Sequence, residues 1–135
     1  PGQPRLKKDE QARGEVSGLI GMIGPTTKGS FSVTFEESLA LEIMSRMLGE
    51  RPDSINEEVT DMVGEITNMV TGGAKRILGE KGHEFSMATP VVVSGKGHTI
   101  THKTTGAKIL MPFDSDFGKV FIDVCFDEFS DLCLL

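Results

Sequence analysis

Two blocks of helical period stand back to back in the middle of this chain, with strand-patterned sequence on either side. Between Glu36 and Leu48 the apolar residues Leu39, Ala40, Ile43, Met44, Met47 and Leu48 recur at helical spacing, and Gly49 follows as a stop. From Ile55 to about Leu78 a second block keeps the same period. Consecutive helices, not alternated with strands, point to an α+β fold: an antiparallel sheet with the helices packed on one face. On the N-terminal side, Val16 to Gly24 (VSGLIGMIG) reads as a buried strand and Pro25 to Gly29 as a turn. Ser30 to Phe35 alternates, with Phe31, Val33 and Phe35 on one side, so the pair predicts a β-hairpin. On the C-terminal side, four strands are expected at 85–93, 98–103, 107–113 and 119–126. Pro90 marks the first of these as an edge strand or a bulge. In the last, Val120, Ile122, Val124 and Phe126 point inward, with Phe121, Asp123 and Cys125 on the other face. The expected order is ββααββββ. Residues 1–14 are polar and aperiodic and read as a flexible arm, leaving 15–135 as a single domain, a normal size for one core.

The second helix announces its start. Pro52 and Asp53 precede Ser54, and Ser54-Ile-Asn-Glu57 has the form of a capping box. Gly72 and Gly73 interrupt the pattern. Two glycines inside a helix cost roughly 1 kcal/mol each against alanine, so they mark a bend or a close approach of another backbone. Gly79 and Gly82 close the segment.

With about 100° per residue and Asp61 at zero, Glu65 falls near 40°, Asn68 near −20° and Gly72 near 20°. The apolar set Val59, Met62, Val63, Ile66, Met69 and Val70 lies largely opposite, at roughly 80° to 200°. The helix thus carries a polar stripe reading Asp–Glu–Asn–Gly that faces solvent or a partner. A solvated stripe is the ordinary state of a surface helix. Two details depart from it: Asn is a poor mid-helix residue, and Asp61 and Glu65 are like charges one turn apart. Both suit a face that meets something cationic.

Other chemistries find little support. The net charge is −6, and the densest basic cluster is Arg5, Lys7 and Lys8, so neither nucleic acid nor an anionic membrane is an expected partner. No apolar run approaches the roughly 20 residues of a membrane span. Cys125 and Cys133 are too few for a disulfide scaffold and suit a reducing compartment, hence the cytoplasm. Cys125 reads as a small buried hydrophobe. His98 and His102 share a strand face but stand about 13 Å apart, too far to ligate one metal, and no metal site is expected. The glycines of VSGLIGMIG match neither a P-loop nor a dinucleotide fingerprint. Met22, Met44, Met47, Met62 and Met69 fit a core better than a plastic binding groove.

The run Asp61-Met-Val-Gly-Glu65-Ile-Thr-Asn68-Met-Val-Thr-Gly72 resembles the signature helix of the CheC/CheX/FliY phosphatases of bacterial chemotaxis. The likeness extends in order through GEVSGLIGMIG, GSFSVTF, the helix ending MLGE, ATPVVVSGKGH, Leu110-Met-Pro-Phe113 and FIDVCF, over about residues 14–127. A single E-x-x-N motif favours the CheX branch. Members of that branch usually begin with a further N-terminal helix, which the stretch 1–14 does not resemble.

The resemblance implies a phosphatase for the aspartyl phosphate of a phosphorylated CheY-like response regulator, and a homodimer. It implies no cofactor in this chain; Mg²⁺ would belong to the receiver domain. Phosphoryl transfer passes through a loose transition state, so positioning outweighs a strong base. Asn68 would orient the attacking water through its amide. Glu65 would pair with the regulator's active-site lysine, and Asp61 and Gly72 would belong to the partner-binding face. The alternative from another class is a non-catalytic adaptor of the same fold that binds a receiver or a flagellar or signalling partner.

Overall fold

In the computed structural model of the chain, the described residues are 5–6, 13–25, 27–99 and 107–128. The elements run β1 (Arg5–Leu6), β2 (Arg13–Ile23), β3 (Thr27–Phe35), α1 (Glu37–Leu48), α2 (Glu57–Glu80), β4 (Ser86–Met87), β5 (Val91–Thr99), β6 (Ala107–Ser115) and β7 (Gly118–Glu128). The strands form one antiparallel sheet in the order β1-β6-β7-β3-β2-β4, and β5 also pairs with β2. Both helices pack on one face of it. The α+β class and the broad order of elements are as expected. Of residues 1–14, Arg5 and Leu6 pair with Leu110 and Ile109 of β6, and Arg13 opens β2.

The hairpin of β2 and β3 is in register from Val16↔Phe35 to Ile23↔Lys28. Alternation then sends Val16, Ile20, Met22, Phe31, Val33 and Phe35 into the core beneath the helices. They meet Ala40, Leu41 and Met44 of α1 and Val59, Met62 and Val63 of α2. In β7, Val124 is buried in this core and Val120, Ile122 and Phe126 pack against it, as their spacing predicts. The opposite face also buries side chains: Ser17, Ser32, Thr34, Asp123 and Cys125 are fully inaccessible, and Ser17 Oγ donates to Thr34 Oγ1 at 2.8 Å. Leu110 is buried beside Leu19 and Phe121 there.

Two local expectations are corrected besides the turn read at Pro25–Gly29, whose Thr27–Gly29 belong to β3. The strand expected at 85–93 is split at Ala88–Pro90 into β4 and β5, and His98 belongs to β5 with Val91. Pro90 has no N–H to continue a ladder. Ala88 still donates to Gly21 O, so β4 and β5 lie along the same edge of β2. The second correction is the start of α2. Its N-cap is Asn56, not Ser54: the Asn56 side chain accepts from the Val59 amide at 3.0 Å. Asn caps as well as Ser does. A start at Asn56 puts Glu57 and Glu58 in the first turn, where they complement the helix dipole. Val59, three residues on, is fully buried in the core.

α1 ends as its sequence predicts, with Gly49 left-handed at φ 80° and its N–H on Ser45 O. α2 runs unbroken through Gly72 and Gly73 to Glu80. A Cβ at either glycine would meet open space, so among the described residues no other backbone approaches them. The close approach is elsewhere, at Gly18 of β2. A Cβ there would overlap Thr67 Oγ1 and come within 2.9 Å of the Thr67 Cβ. The bare backbone of Gly18 lets α2 settle onto the sheet.

Candidate active site

The way α2 sits on the sheet decides which of its residues face outward. Thr67 and Thr71 are fully buried, on the flank of the helix that rests on β2 and its neighbours. Each turns its hydroxyl back onto its own helix, Thr67 Oγ1 to Val63 O and Thr71 Oγ1 to Thr67 O, both at 2.7 Å. That satisfies the polar atoms and leaves the methyl groups to pack. The buried face of α2 is therefore rotated away from the apolar arc read off the sequence. It runs through Val59, Met62, Val63, Thr67 and Thr71, while Met69, expected inside, is exposed.

Asp61, Glu65, Asn68 and Gly72 all lie on the exposed face, one turn after another along the helix. The structure thus brings together every residue singled out in that stripe. Neither Asp61 nor Glu65 enters an ion pair with a described residue. The Asn68 carbonyl accepts from Thr71 Oγ1 at 3.3 Å, but its side-chain amide has no partner among the described residues. Its oxygen can accept and its NH₂ can donate to an incoming group. An amide, two carboxylates and an uncovered Gly72 on a packed helix can dock a cation and hold a water.

The same face changes charge along its length. Below Gly72 come Lys75 and Arg76, which with Gly79, Glu84 and Phe85 line a cleft of about 670 Å³. Above, Asp61 and Glu65 border a groove between α1 and α2 that reaches Met47, Leu48 and Met69. Met47 and Met69, which the sequence assigned to the core, are exposed here. The signal was present: Met69, at about 80° on the wheel, is nearer Glu65 than the centre of the apolar arc.

Among the described residues, no group of three or more His, Cys, Asp or Glu side chains could hold a metal ion. The His98 side chain and His102 lie outside the described residues, and His83 is exposed. Cys125 is buried, as expected, and Cys133 lies outside the described residues. No described helix is long and apolar enough to cross a membrane.

Comparison with known proteins is consistent across sequence and fold. The family model for the chemotaxis phosphatase CheX matches residues 16–114. The solved structure of the chemotaxis protein CheX from Vibrio vulnificus is 71% identical with a TM-score of 0.91, covering 94% of this chain and 84% of that one. A CheX from Desulfovibrio desulfuricans is 41% identical with a TM-score of 0.85, covering 94% and 84%. A more distant structure shares the fold at 24% identity and a TM-score of 0.77, covering 94% and 82%; it is a complex of CheX with CheY, BeF3 and Mg²⁺ from Borrelia burgdorferi. No curated protein matches the chain.

Proposed function

Since the chain belongs to the CheX family of chemotaxis phosphatases, we propose that it hydrolyses the aspartyl phosphate of a phosphorylated CheY-like response regulator. The observation that carries the reading is the pairing of Glu65 and Asn68, one turn apart on an exposed helix face, with no partner of their own among the described residues. The Borrelia burgdorferi CheX was found with CheY and Mg²⁺, and a receiver domain is the corresponding partner assigned here.

In this reading α2 enters the receiver's active site. Glu65 pairs with the receiver's lysine and fixes the helix there. The Asn68 amide accepts a hydrogen bond from a water and holds it in line with the acyl phosphate. The water oxygen bonds to phosphorus, the bond to the aspartyl oxygen breaks, and the carboxylate and inorganic phosphate depart. Mg²⁺ on the receiver neutralises charge on the transferred group, so this chain supplies about half of the reacting constellation. Asp61 makes a further docking contact, Gly72 leaves room for the approaching surface, and the protein works as a homodimer in the cytoplasm.

The test is loss of phosphate from a phosphorylated receiver with Mg²⁺ present, with and without the protein. Asn68→Ala keeps binding and loses roughly 10²- to 10³-fold in rate, about 3–4 kcal/mol of transition-state stabilisation. A wild-type rate for that variant would remove Asn68 from the mechanism. No acceleration of any cognate receiver by the wild-type protein would favour a non-catalytic adaptor.

A further inference from the structure

Beside the stripe, α1 and α2 leave a groove of about 380 Å³. Its apolar lining is Met44, Met47, Leu48, Met62, Ile66 and Met69. Met44 and Met62 are buried and form its floor, whereas Met47, Leu48 and Met69 are 64%, 57% and 73% exposed. The remaining lining residues are three carboxylates, Glu58, Asp61 and Glu65, and no cation lines it among the described residues. The arginines at the end of α1 do not neutralise them: Arg46 and Arg51 both bind Glu42, and Arg46 lies over the Phe117 ring at 5.0 Å. An exposed apolar patch with a one-sided charged rim marks an interaction surface.

We infer that this groove is a second docking surface for the receiver domain. It takes an apolar side chain from an amphipathic helix of the receiver, with lysine or arginine beside it. The partner rests on the function proposed above; the chemistry rests on the groove. A second copy of this chain is disfavoured as occupant, because a symmetric contact would set Glu58, Asp61 and Glu65 against themselves. An anionic membrane is disfavoured by the same charges. Glu65 engages a lysine and Asn68 a water in line with the phosphate, features that phosphorylated receivers have in common, so the pair discriminates poorly among them. The groove reads side chains outside that centre and sets which receiver is accepted. Methionine walls suit this, since they adapt to differently shaped apolar groups.

Met47→Gln/Leu48→Gln tests the inference on α1 without altering α2. Its probes are the host's receiver domains, held in the activated state with beryllofluoride and Mg²⁺ for binding and phosphorylated for turnover. The expected result is about a tenfold weaker Kd and a correspondingly raised KM, with kcat within twofold of wild type. In Glu58→Gln/Asp61→Asn, the association rate falls and its dependence on ionic strength flattens. Wild-type Kd and KM in the α1 variant overturn the groove and leave the catalytic reading intact. Wild-type binding without hydrolysis, with Kd still weakened in the α1 variant, overturns the catalytic reading and supports the groove. Failure of the wild-type protein to bind any of these receivers overturns the occupant named here.

Discussion

At the residue scale, the chemistry proposed for this chain rests on side chains that the fold leaves without internal partners. Glu65 and Asn68 were legible because helical spacing alone aligns them, and the motif they form is specific when read with its neighbours. Gly72 was legible as an exposed member of the stripe. A glycine inside a helix normally costs stability, and here a Cβ would meet no described atom within 4 Å outside its own stretch of helix. Gly72→Ala therefore raises thermal stability by about 0.5–1 kcal/mol while weakening binding to the activated receiver. A melting curve and a binding isotherm on the one variant check both halves. A gain in stability with unchanged affinity would mean that no partner surface comes down on that turn. Met69 was misread because the wheel counts only apolar residues. Two threonines took places on the buried face, and no hydropathy pattern announces that a hydroxyl will bond back to its own helix.

At the element scale, α2 is the part that matters most, and its beginning is held by a single side chain. Asn56 accepts from the Val59 amide, the first fully buried residue of the helix. Asn56→Ala should cost about 1 kcal/mol, read as a lowered midpoint in urea with an unchanged slope. Ser54→Ala should cost far less, and the reverse ranking would restore the capping box read from the sequence. Both residues are good caps, so composition could not choose between them. α1 was legible nearly to the residue, because a terminal glycine leaves few options. The hairpin was legible as a pair but not in its reach: β2 and β3 each begin three residues before the expected start, and Thr27–Gly29, read as turn, belong to β3. The split between β4 and β5 was not. One proline signals that a ladder fails locally, but not that the chain resumes along the same edge three residues on.

At the scale of the whole molecule, the fold is a sheet that carries two helices on one face and presents one of them outward. The sheet was predictable from segregation of the two periods, and its antiparallel pairing from the short connections. The buried polar patch on the opposite face, with Ser17, Thr34 and Asp123 wholly inaccessible, was not, because Thr34 and Asp123 stand on the side of their alternating strands away from the apolar residues. The contact between Thr67 and the bare backbone of Gly18 spans both layers. It makes the thickness of the molecule a catalytic variable. Any side chain at position 18 acts as a shim under the helix, raising the outward face without changing an atom on it. Gly18→Ala should therefore lower kcat on the phosphorylated receiver by about tenfold or more, since an ångström of misplacement far from the chemistry is felt at the reacting centre. Circular dichroism would report the same helix content throughout. A wild-type kcat in that variant would mean that the helix finds its depth from the receiver and not from the sheet beneath it.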